Sequence, residues 1–113
     1  MKYKNTLQRG SARFIVFREG DTWYGTCLDF NIVEEGTTAR EALLLLFEAV
    51  EGYLESARKI KARPAVLNQR ADAEYEMMWT KLRAAKSKVK EIDSKSIYSF
   101  GELSIGKRAL APA

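Results

Sequence analysis

The residues whose types could do chemistry gather in the first third of the chain. They are Cys27, the carboxylates Asp29, Glu34 and Glu35, and the adjacent aromatics Trp23 and Tyr24. A thiol can serve as a nucleophile, and carboxylates spaced this closely can be the remnant of a divalent-metal site. Neither chemistry is complete here. The 113 residues include no histidine, which removes histidine acid-base catalysis, Ser-His-Asp and Cys-His pairs, and histidine-ligated zinc. Cys27 is the single cysteine, so no intramolecular disulfide, CxxC motif or thiolate cage can form, and a reducing compartment fits. Two-metal catalysis needs several converging carboxylates, and no second acidic cluster falls in register on a facing element. Asp29, Glu34 and Glu35 therefore read as a solvated turn, and Cys27 as a small buried hydrophobe. No catalytic residue, metal ligand or cofactor is expected.

The elements that must position these residues follow from local patterning. Arg13-Phe-Ile-Val-Phe-Arg18 is a β-branched and aromatic run closed by the turn residues Glu19-Gly20-Asp21. Thr22 to Leu28 makes the second arm of a hairpin, with Trp23, Gly25 and Cys27 on one side and Tyr24, Thr26 and Leu28 on the other. Asn31-Ile-Val-Glu34 gives a short third strand, and connections this short make the three an antiparallel meander. One of Trp23 and Tyr24 then enters the core while the other lies on an open sheet face. Acidic neighbours favour a protein interface over nucleic-acid stacking there, so Trp23, Tyr24, Asp29, Glu34 and Glu35 are the expected partner-binding residues.

Thr38 followed by Glu41 is a capping box, and nothing interrupts a helix from Ala39 to about Arg58. One apolar stripe, Ala42, Leu45, Leu46, Ala49 and Tyr53, suits packing on the sheet. A second, Leu43, Phe47, Val50 and Leu54, lies on a neighbouring face that one small sheet would not cover. It predicts self-association into a homodimer or higher homo-oligomer, unless a later helix of the same chain covers it.

Pro64 ends the first half, and Ala65-Val-Leu67 could add a short fourth strand. A narrowly amphipathic helix is expected from Asp72 to about Lys90, docking Tyr75 and Trp79. A strand near residues 97–100 fits the alternation there, and Ala109 to Ala113 read as frayed ends. The resulting expectation is α+β, a three-stranded antiparallel sheet with one long packed helix. It divides into a β-β-β-α-β domain at residues 1–67 and a helical extension with a tail at 68–113.

Charge divides the same way. Residues 1–56 carry six basic and nine acidic residues, a net charge of −3, while residues 57–113 carry thirteen basic and six acidic, a net +7. The acidic half suits a basic protein partner. The basic half, with Arg58, Lys59, Lys61 and Arg63 clustered at the helix end, would supply phosphate contacts to a nucleic-acid-binding regulator, or simply a solvated helix end. No apolar run reaches the length of a membrane span, and the basic N-terminus has no apolar stretch behind it, so no membrane association and a cytoplasmic protein are expected.

The stretch Phe14-Ile-Val-Phe-Arg-Glu-Gly-Asp-Thr-Trp-Tyr-Gly-Thr-Cys-Leu-Asp29, then Glu35-Gly-Thr-Thr-Ala-Arg-Glu-Ala-Leu43 leading to Tyr53-Leu54, resembles the HicB antitoxin-like family over about residues 12–60. The resemblance implies a β-β-β-α-β module, a trimmed relative of the ribonuclease H-like fold, that binds and neutralises a small RNA-cleaving toxin of the HicA type. Many members continue into a DNA-binding domain, and residues 64–113 match neither a helix-turn-helix nor a ribbon-helix-helix.

Overall fold

The computed structural model describes residues 3–85, 90–92 and 94–106. Three strands come first, β1 (Gly10–Glu19), β2 (Thr22–Cys27) and β3 (Ile32–Gly36), and then the helix α1 (Ala39–Lys59). A short 3-10 turn (Pro64–Leu67), the helix α2 (Ala73–Ala85) and the strands β4 (Glu91–Ile92) and β5 (Lys95–Ile105) complete the chain. All strands pair antiparallel in the order β3-β2-β1-β5-β4, giving an α+β fold with five strands and two helices. Among the described residues no helix is long and apolar enough to cross a membrane.

The central strand β1 is covered on both faces, which is why its sequence is a continuous apolar run instead of an alternating one. Ala12 packs with Cys27, Leu46, Val50 and Leu54 under α1, while Ile15 and Phe17 pack with Leu28, Met78, Trp79 and Leu82 under α2. The two helices thus sandwich the sheet. The β1–β2 connection is the two-residue turn Gly20-Asp21, and the positive φ of 63° at Gly20 is one that glycine adopts without steric cost.

Thr38 caps α1 by accepting from the Glu41 backbone N–H at 3.1 Å. Glu41 reaches one residue further back than a capping box requires, accepting from the Thr37 backbone N–H at 2.7 Å. The buried line of α1 is Ala42, Leu46, Val50, Leu54 and Ala57, which threads between the two stripes expected from the sequence. Two glycines let the helix start sit directly on the sheet. A Cβ on Gly36 would lie 2.6 Å from the Ala42 backbone nitrogen, and one on Gly25 would lie 3.0 Å from both the Ala42 oxygen and the Leu46 Cβ.

Three expectations are corrected. Ala65 to Leu67 form the 3-10 turn and not a strand, because Pro64 starts the turn and Tyr53 Oη donates to the Val66 carbonyl at 2.6 Å. The sheet has five strands and not three, because the strand expected near residues 97–100 runs as β5 along β1 from Gly10 to Arg18, with Tyr98 bulged out between Val16 and Phe17. The boundary at residue 67 therefore does not divide the sheet. The expectation of helix at residues 86–89 and of frayed ends at 109–113 lies outside the described residues.

Replacing Gly36 by alanine should destabilise the chain by about 1–3 kcal/mol, seen as a lower urea midpoint with unchanged slope, because the new methyl group meets helix backbone. Gly52 is exposed on α1 with open space around it, so Gly52→Ala should stabilise by about 0.5–1 kcal/mol.

Candidate functional site

Asp29 follows β2 and is 6% exposed. Its carboxylate accepts from the Arg13 backbone N–H at 2.8 Å and from the Arg13 guanidinium, with Nη2 at 2.9 Å and Nε at 3.2 Å. The same guanidinium donates to Glu76 of α2 at 2.8 and 3.1 Å and lies 5.8 Å from the Trp79 ring centroid. Burial opposes the charge on Arg13, but hydrogen bonds and charges from Glu76 and Asp29 outweigh it and hold the guanidinium above its ordinary value. Lys4, Glu102 and Arg83 continue the network at separations of 3.6 to 4.0 Å. Asp29 is thereby withdrawn from partner binding: it is spent inside the fold, tying β1, the β2–β3 loop and α2 together.

Cys27 is fully buried under α1, and burial pushes its thiol up to about 12. A neutral, enclosed thiol is not a nucleophile. Among the described residues no group of three or more histidine, cysteine, aspartate or glutamate side chains is placed to hold a metal ion.

The structure also divides the remaining residues expected at an interface. Trp23 and Glu34 belong to the sheet face under α1, and Tyr24 and Glu35 to the opposite face, as the register Trp23↔Gly36, Tyr24↔Glu35 and Gly25↔Glu34 requires. Tyr24 stacks on Phe17 at 5.5 Å. Trp23 meets Tyr98 edge-on at 6.2 Å and carries the Arg18 guanidinium 5.5 Å from its ring centroid. Arg18, Trp23 and the 52% exposed Tyr98 form a row across β1, β2 and β5. Sequence reasoning missed this row, because it depends on the pairing of β5 with β1 and on the bulge that turns Tyr98 outward.

The self-association stripe is corrected too. Val50 and Leu54 are 0% and 2% exposed in the core of the single chain, leaving only Leu43 and Phe47 half-buried on the flank of α1. Phe47 meets Phe14 edge-on at 5.3 Å, and α2 covers none of this stripe because it packs on the other sheet face.

The basic cluster is exposed at the end of α1 and in the loop after it. Arg58 donates to the Gly106 carbonyl at 3.2 Å, Lys59 pairs with Glu55 at 3.6 Å, Lys61 takes a positive φ of 52°, and Arg63 precedes the 3-10 turn. Beside it lies an apolar hollow of about 150 Å³ lined by Tyr53, Ser56, Ala57, Ile60, Ala62 and Val66. Tyr53 stacks on Phe30 at 5.1 Å and accepts from Gln69 Nε2 at 2.6 Å. On the α2 side, Lys95, whose side chain is 9% exposed, bridges Glu19 at 3.3 Å and Glu74 at 3.1 Å. Burial opposes its charge, yet hydrogen bonds with Glu74 and Glu19 hold its ammonium above the ordinary value.

Neither a protein-family model, nor a curated protein, nor a solved structure matches the chain. The side chains themselves are the evidence for function.

Asp29→Ala should cost about 3 kcal/mol in urea unfolding, since it strands the Arg13 guanidinium and its backbone N–H. Stability should also fall at alkaline pH. The Cys27 thiol and the Tyr53 and Tyr75 hydroxyls, all raised by burial, stay protonated in the folded chain after they ionise in the unfolded one. Lys95 acts in the same direction, because its ammonium is favoured in the folded state. Unfolding free energy should thus hold below pH 9, where an ordinary thiol begins to ionise, and decline from pH 9 to 12. Denaturant titrations across that range would measure the slope, and thiol labelling at pH 8 should require unfolding.

Proposed function

We propose that the chain is a non-catalytic, HicB-like binding module that neutralises a small RNA-cleaving toxin by covering it, or is a stand-alone relative of such antitoxins. The observation that carries this reading is the fate of the chemical groups. Cys27 is enclosed, Asp29 and Glu76 are clamped on Arg13, and Lys95 is clamped between Glu19 and Glu74. Of the candidate carboxylates, the half-buried Glu34 and the exposed Glu35 lie on a sheet edge, where they suit a basic protein partner better than a reaction.

The order of elements supports the same reading. The three-stranded meander followed by α1 matches the first four elements of the β-β-β-α-β module that the resemblance implies, and a trimmed ribonuclease H-like ancestry is proposed on that basis. The excess of negative charge in residues 1–56 fits a partner whose own surface is made to hold RNA. Cytoplasmic residence belongs to this proposal, as does self-association, which is left to the half-buried Leu43 and Phe47.

The gene beside the one for this chain should encode a short basic ribonuclease with a catalytic histidine. The chain added in equimolar amount should abolish that enzyme's cleavage of RNA. Cleavage that persists undiminished at a tenfold excess of the chain would overturn the antitoxin reading.

A further inference from the structure

The two edges of the sheet differ. One is made by β4, which pairs only with Lys95 and Ser96, and beyond it by β5, whose one carboxylate, Glu102, is already paired with Lys4, Ser11 and Arg83. The other is β3, five residues with no proline and no bulge in its pairing with β2. In an antiparallel ladder alternate residues turn their N–H and C=O away from the partner strand. Among the described residues, the backbone of Ile32–Gly36 hydrogen-bonds only to β2, so the outward groups of β3 are unpaired. The α1 helix covers one face of β3 and buries Gly36 at its end, while Val33 and Glu35 stay exposed along the strand.

From this edge we infer that the chain binds its partner by strand addition at β3, and that the incoming strand carries two consecutive basic residues opposite Glu34 and Glu35. The inference rests on the protein-binding reading above and names the surface and chemistry through which it acts. Residues 31–38 hold two acidic residues and no basic one. Glu34 shares its face with Ile32 and Gly36 on the α1 side, and Glu35 shares its face with Val33 on the other. A strand laid antiparallel along β3 therefore meets one carboxylate on each face at neighbouring positions, which a Lys-Lys or Arg-Arg pair matches residue for residue.

The same charges argue against a second copy of the chain as the occupant. Pairing β3 with itself centred on Glu34 sets Glu34 against Glu34, and centring it on Glu35 sets Glu35 against Glu35, so like carboxylates meet in both registers. These two residues thus guard the edge against self-pairing while leaving it open to a cationic strand.

The test uses the full chain and two capped heptapeptides, Val-Thr-Lys-Lys-Val-Thr-Val and its Glu-Glu counterpart. Addition of the Lys-Lys peptide should shift the amide resonances of residues 32–36 and slow hydrogen exchange at the outward ones. It should bind about tenfold more tightly than the Glu-Glu peptide. In the double variant Glu34→Lys/Glu35→Lys, whose changes are at the surface edge, the preference should invert in favour of the Glu-Glu peptide. Equal binding of the two peptides, shifts confined to other residues, or concentration-dependent protection of β3 without any peptide would each overturn the inference. A variant that still neutralises the toxin fully would sink strand addition but leave the antitoxin reading standing. Peptide pairing at β3 without toxin neutralisation would sink the antitoxin reading and leave this one.

Discussion

The rest of the structure depends on β1 being enclosed from both sides. A strand buried on two faces can hold apolar residues at every position, and Ala12 to Phe17 do so with one exception. That exception is Arg13, and its charge in a nearly dry layer demands full pairing. Asp29 and Glu76 supply it from the two elements that must be brought to β1, the end of β2 and the first turns of α2. The ion pairs therefore do more than offset the desolvation of one guanidinium. They fix where α2 lands on the sheet, and Trp79 follows by packing beside the same guanidinium and edge-on to Phe100 of β5.

A second constraint is how closely α1 approaches the sheet. The glycines at positions 25 and 36 remove the side chains that would hold the helix start away from β2 and β3. With α1 drawn in over that side, its line from Ala42 to Leu54 reaches the core, while Leu44 and Leu45 stay exposed. The long apolar sequence of α1, which by composition alone asks for a second partner, is mostly satisfied by one sheet face. Elsewhere the chain is held by paired amides. Asn5 and Asn68 exchange hydrogen bonds at 2.9 Å, and Asn5 also bonds Leu67 and Ser11, so the N-terminal segment is tied to the 3-10 turn and to β1.

Local signals were legible wherever the chemistry is local. The Gly20-Asp21 hairpin, the Thr38 cap, the helix ending ahead of Pro64 and the amphipathic helix bearing Trp79 all sit close to where turn residues, capping and periodicity put them. The candidate site was much less legible. Asp29 carried the same sequence signal as Glu34 and Glu35, an acid in a polar turn, yet it is buried on an arginine sixteen residues away in sequence. Val50 and Leu54 looked like surplus surface because a stripe on a helical wheel does not say how far the helix will be rotated against its sheet.

What the sequence by itself determined is the set of elements before Pro64, their antiparallel order, the absence of histidine chemistry and the separation of acidic from basic halves. Those properties follow from dihedral preference, turn geometry and composition, each readable over a few residues. Only the tertiary structure decided that β5 would return beside β1, that α2 would close the opposite face, and that the aromatic row of Trp23 and Tyr98 would form across three strands. Pairings between residues fifty or more apart carry no local mark. They are selected by which distant partner leaves the fewest buried apolar and polar groups unmatched.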